Sequence, residues 1–200
     1  MRFRAITALL VLIAIAVMAT SATAFNGERK GFILGFGAGV SWSSFKGEVE
    51  GFDLGDTETK FGIGTDFKIG AGINDQLLIY YVNRVAWLKS DTFTSNGDIL
   101  EDITIASSVG LVGISYYFKT EAPAWYVVGA IGVSTWSAPM ESDSEMFTGF
   151  GVTGGVGYEF TRHWSLEATV NYGKPTKTII GYDVEITAIS VLVTFMGLAF

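Results

Sequence analysis

The sequence predicts an all-β chain, an eight-stranded antiparallel up-and-down transmembrane β-barrel, and three observations predict it. The first is sustained period-two alternation, because successive side chains of a strand point to opposite faces. It is clearest in MFTGFGVTGGVGYEFTRHWSLEATVNYG, residues 146–173. There Met146, Thr148, Phe150, Val152, Gly154, Val156, Tyr158 and Phe160 share one face, and Phe147, Gly149, Gly151, Thr153, Gly155, Gly157 and Glu159 the other. After a tight turn at Thr161 and Arg162, Trp164, Leu166, Ala168, Val170 and Tyr172 alternate with Ser165, Glu167, Thr169, Asn171 and Gly173. The second observation is that the faces differ in kind, one aromatic and aliphatic, the other small, polar or charged, as a strand requires between lipid and a narrow polar interior. The third is that long polar connections and tight ones succeed each other along the chain, as they must if one rim of a barrel faces each side of a membrane.

Composition agrees. The 200 residues fit one domain and are 49% hydrophobic with 16% charged, yet the bias lies in 25 glycines and 14% aromatics, which suit strands better than helices. The chain has no cysteine, which excludes a disulfide scaffold or thiolate metal site. Residues 1–24 stand apart: Arg2 and Arg4, an apolar middle from Ile6 to Met18, then Ala22-Thr23-Ala24. These are the three parts of a secretory signal peptide, and the apolar segment is shorter than the roughly 18 residues of a spanning helix. Its removal would leave residues 25–200 as the barrel domain, with 11 basic against 20 acidic groups, a net charge of −9. Such a chain is not expected to bind nucleic acid, which needs clustered Lys and Arg. No later stretch could cross a bilayer as a helix, so any crossing must be through strands.

Taken in order, a polar lead-in at 25–30 precedes the first strand, 31–45, with Phe32, Leu34, Phe36, Ala38, Val40 and Trp42 opposite a glycine and serine face that only Ile33 interrupts. An acidic, Gly-rich connection (46–58) leads to the second strand, 60–73, where Phe61, Ile63, Phe67, Ile69 and Ile73 oppose Gly62, Gly64, Asp66, Lys68, Gly70 and Gly72. Asn74-Asp75 turns the chain into the third strand, 76–89, whose faces are both largely apolar; an inward Arg84 is the cheaper choice in lipid. A polar loop (90–102) leads to the fourth strand, 103–118, and a tight turn to the fifth, 124–137. The loop 137–146 precedes the hairpin described first, and 173–183 links it to the last strand, 184–200.

The chain resembles the small eight-stranded outer-membrane barrels of the OmpA/OmpX and opacity-protein type. The resemblance rests on the N-terminal leader, the strand count, GVGYEFTRHWSLEATVNYG at 155–173 and the terminal aromatic Phe200. It implies a bacterial outer-membrane location, reached through the periplasm, with lipid and lipopolysaccharide around the barrel and no cofactor. It also implies recognition of the last strand by the barrel-assembly machinery through Leu192, Met196, Leu198 and Phe200. The other face of that strand, Ile189, Val191, Val193 and Phe195, is apolar as well, so either it lines a dry interior or the register differs by one.

Several groups invite chemistry. Asp66, Lys68, Glu159 and Glu167, with Arg84, project to the inferred lumen, as an ion pathway or as a paired network that fills a narrow barrel. Gly149, Gly151 and Gly154 match GxGxxG, but inside a strand with no helix after it, so dinucleotide binding is not expected. His163, with Ser165 and Glu167 nearby, allows a lipid A-modifying hydrolase, since outer-membrane deacylases use a His, a Ser and a Glu; yet His163 sits by a turn expected on the periplasmic side, away from the outer leaflet. The acidic loops (Glu48, Glu50, Asp53, Asp56, Glu58; Glu141, Asp143, Glu145) suit solvated charge or calcium, without EF-hand spacing. Trp42, Trp87, Trp136, Phe147 and Tyr182 would mark an outer aromatic band, and Trp164, Tyr158, Phe160, Tyr116, Phe118 and Phe200 an inner one. The favoured role is structural or surface-interacting and non-enzymatic. The alternatives are a narrow pore and a soluble lipid-binding barrel with the faces inverted.

Overall fold

The computed structural model describes residues 28–200 except 54, 91–92, 96–97, 101–102, 142–145 and 180. The leader expected at residues 1–24, its cleavage site, and the loop acids Asp143 and Glu145 lie outside the described residues. Eight strands form the barrel: β1 (Gly31–Val49), β2 (Glu58–Gly72), β3 (Leu77–Ser90), β4 (Ile103–Tyr117), β5 (Ala124–Ser137), β6 (Phe147–Thr161), β7 (Trp164–Ile179) and β8 (Tyr182–Ala199). Each pairs antiparallel with the next, and β8 pairs with β1, so every edge is closed. Following directly paired residues from Ala38 through Thr65, Val85, Ser108, Thr135, Thr148, Thr176 and Glu185 returns to β1 at Glu48. That ten-residue offset, from 38 to 48, is the stagger that closure of tilted strands imposes.

The turns explain themselves locally. At the β2–β3 corner, Asn74 Oδ1 accepts from the backbone N–H groups of Gln76 (2.8 Å) and Leu77 (2.9 Å), the Asx turn for which Asn is suited. On the opposite rim the strands run further than alternation predicts. β7 continues to Ile179 and β8 starts at Tyr182, so most of the loop expected at 173–183 is paired strand. Pro175 is accommodated because the β7–β8 ladder skips from Gly173↔Ala188 to Thr176↔Glu185, and its missing N–H falls in that gap. Short rungs at Phe52–Asp53 and between Phe93–Ser95 and Asp98–Leu100 ornament the same rim.

The exterior is apolar and the interior mixed. Phe36, Val40, Trp42, Phe61, Ile63, Val112, Trp125, Ile131, Phe150, Val156, Trp164 and Leu166 are all exposed on the outer surface. So large an apolar surface is a membrane-contacting one, and it is the opposite of the inverted, lipid-binding arrangement. β3 resolves as Leu78, Tyr80, Val82, Arg84, Ala86 and Leu88 inward, with Ile79 and Tyr81 outward.

Three expectations need correction. In β8 the faces are reversed: Leu192, Met196, Leu198 and Phe200 are buried in the lumen, while Ile189, Val191, Val193 and Phe195 face outward. Cross-strand partners share a face, and Met196 and Leu198 pair with Gly37 and Gly35, whose missing side chains leave them room. Trp136 and Phe147 do not belong to the outer band. Trp136 points inward against Phe45 on the diametrically opposite strand (centroids 4.7 Å apart), and Phe147 packs on the same cluster. Phe200 likewise leaves the inner band for the core, whereas Trp125 and Phe195, with Trp164 stacked on Phe195, join it outside.

Candidate functional site

The lumen is filled in layers. At the end carrying the tight turns lies an apolar and tyrosine cluster that includes Ile33, Leu78, Tyr117, Ala124, Leu198 and Phe200. Through it passes Arg29, from the lead-in before β1, only 3% exposed. Its guanidinium pairs with Glu159, donates to the carbonyls of Asp75 (2.7 Å), Lys119 (3.1 Å) and Thr120 (2.9 Å), and lies over the Tyr117 ring at 4.0 Å. Its backbone N–H donates to Asp75 Oδ1 at 3.1 Å. One side chain thus ties the β2–β3 turn, the β4–β5 turn and the end of β6 across the mouth. Sequence reasoning missed it, because a single Arg in a polar lead-in reads as solvated charge.

Above this layer Asp66, Lys68, Arg84 and Glu167 form a buried quartet. Glu167, on β7, accepts from Lys68 Nζ on β2 (2.5 Å), from Arg84 Nη2 on β3 directly across the lumen, and from Tyr126 OH on β5 (3.0 Å). Arg84 Nε lies 3.0 Å from Asp66 Oδ1, an ion contact off the line of a hydrogen bond, and Thr194 Oγ1 donates to Asp66 Oδ2 at 3.1 Å. Two cations meet two carboxylates, and each charge is tolerable only because the others are there. The five lumenal charges expected from the sequence are therefore all inward, but they divide: four form the quartet, and Glu159 belongs to the Arg29 layer.

A glycine lets Tyr126 reach the quartet. Gly157 is paired with Tyr126 on one side and Glu167 on the other, and a Cβ there would overlap the Tyr126 ring. Only without it can the phenol cross β6 to reach β7. Gly157→Val is expected to displace Tyr126 and to destabilise the barrel by about 1–3 kcal/mol as an overpacked site; urea unfolding in detergent, followed by the gel-mobility shift between folded and boiled protein, measures it.

The hydrolase constellation does not assemble. His163 is exposed at the β6–β7 turn, its Nδ1 3.0 Å from the carbonyl of Leu198 and its ring against Phe200. Ser165 Oγ instead bonds Tyr126 OH (3.0 Å), and Glu167 is committed to the quartet. The glycines of GxGxxG lie within β6. Among the described residues no three His, Cys, Asp or Glu side chains come together as a metal would require.

Comparison with known proteins completes the description. Solved structures similar in fold include Neisserial surface protein A (19% identity, covering 84% of this chain and 97% of that one, TM-score 0.46). Others are the outer membrane protein OprG from Pseudomonas aeruginosa (12%, 86% and 97%, TM-score 0.45) and Ail, the attachment invasion locus protein of Yersinia pestis (12%, 84% and 99%, TM-score 0.41). A search of curated protein sequences returns no significant match. The model of the outer membrane protein β-barrel domain matches residues 7–196, nearly the whole chain. With its closed eight-stranded barrel and apolar exterior, the chain belongs to the outer membrane protein β-barrel domain family.

Proposed function

We propose that the protein serves the outer membrane as a non-enzymatic, closed barrel with a structural or surface-interaction role, its long hairpins carried beyond the bilayer on a rigid stem. The observation that supports this reading is the lumen, crossed by Arg29–Glu159 and then by the Lys68–Glu167–Arg84–Asp66 quartet, with every one of these side chains buried. An eight-stranded barrel has room for side chains and little else. Planar-bilayer recordings of the refolded protein are expected to show no unitary current steps; reproducible steps would favour the narrow pore.

Export through the periplasm after cleavage before Phe25 belongs to the same proposal, supported by the three-part leader. Mass spectrometry of protein recovered from outer membranes is expected to give a mature chain beginning at Phe25; an uncleaved Met1 would refute it. Recognition of the last strand by the barrel-assembly machinery, and contact with lipopolysaccharide, are also proposed. For the former, Leu192, Met196, Leu198 and Phe200 are the proposed signal, to be read before the barrel closes, since all four are buried afterwards.

A further inference from the structure

The quartet leaves one group with neither a hydrogen bond nor an ion contact. Arg84 Nη2 is taken by Glu167 and Nε faces Asp66, but Nη1 is buried with no hydrogen-bond partner among the described residues. Arg84 is 1% exposed, and it borders a cavity on the side of the quartet away from Arg29. Ser107, Ser134, Asn171 and Ser190 line the same cavity, and among the described residues Arg84 is its only charged lining residue. One rung further out, Ile105, Trp136 and Ala188 stand above Ser107, Ser134 and Ser190, and Phe45 meets Trp136 across the lumen. The space is thus a small chamber with Arg84 at its floor and a wall that mixes these polar groups with Val109, Pro175 and Ala188, the Phe45–Trp136 pair lying beyond it toward the rim. Its volume is about 10 Å³, room for one water molecule.

We infer that this chamber is a binding site for an ordered water molecule, which accepts from Arg84 Nη1 and bridges to the lumenal hydroxyls. The chemistry requires an acceptor, because a buried guanidinium N–H without one is costly. It favours a neutral acceptor over an anion. Lys68 and Arg84 are already matched by Asp66 and Glu167, so a halide would add an uncompensated buried negative charge. Water instead meets several polar partners at once, as buried waters do. The consequence is a barrel wetted on one side of the quartet and dry on the other, where Val82, Leu111 and Val128 pack together.

The test is water–protein cross-relaxation by NMR on the full barrel refolded in detergent micelles. Long-lived water cross peaks are expected at the Asn171 side-chain amide and at Ser190, and none at the methyls of Val82 and Val128. Ser190→Val, which puts a methyl where the hydroxyl was, is expected to abolish the Asn171 cross peak while the gel-mobility shift persists. No cross peak at Asn171 in the folded wild type would overturn the proposal. So would a saturable shift of the Asn171 amide when bromide replaces a non-coordinating anion, which would make the occupant a halide.

Discussion

Glu167→Gln is expected to lower the unfolding free energy of the barrel by about 3–5 kcal/mol, the cost of removing one partner from a buried ion pair. The side chain keeps its shape, so the loss reports charge. Lys68 and Arg84 would then face Asp66 alone, two buried cations against one carboxylate. The same reasoning predicts rescue. Lys68→Met in the Glu167→Gln background returns the site to one cation and one carboxylate, Arg84 and Asp66, and should recover more than half of the loss. Equilibrium urea unfolding in lipid vesicles measures both. Equal stability of the single and double variants would mean that the quartet does not act as one electrostatic unit.

Arg29→Ala is expected to cost about 3 kcal/mol or more, for a related but separable reason. It leaves Glu159 buried without its cation and removes the donor from the carbonyls of Asp75, Lys119 and Thr120. The double variant Arg29→Met with Glu159→Leu replaces the pair by apolar side chains of similar volume, which for buried pairs is often neutral. It should lie within about 1 kcal/mol of wild type if the penalty comes from the stranded carboxylate. If the carbonyl tethers matter more, the double variant will be as unstable as Arg29→Ala. Planar-bilayer recordings of Arg29→Ala test the plug at the same time: with the Arg29 layer gone, the quartet alone must keep the lumen shut.

Much of this was legible in the sequence, and particular residues show why. Along β1, β2, β6 and β7 one face is small or polar and the other large and apolar, so alternation alone oriented Phe36, Phe67, Val152 and Leu166 outward and Asp66, Lys68, Glu159 and Glu167 inward. Where both faces are apolar the signal vanishes. In β8 it pointed the wrong way for Leu192 and Met196, and in β3 only the expense of an outward Arg84 gave a direction. Trp136 misled because an aromatic near a strand end fits a membrane belt as well as a lumen roof, and its partner Phe45 lies far away in sequence.

By itself the sequence determined the strand count, the turn at Asn74 and the set of charged residues that turn inward, because each depends on neighbours one to four residues apart; the closed barrel followed because strands in a bilayer can leave no open edge. Only the tertiary structure decided which charge meets which, that Arg29 stops the mouth, and which face of β8 is enclosed. Those outcomes depend on ring closure. The ten-residue stagger sets which β8 residues lie beside Gly35 and Gly37, and it brings strands three and four apart, such as β2 and β3 with β7, within reach across the lumen.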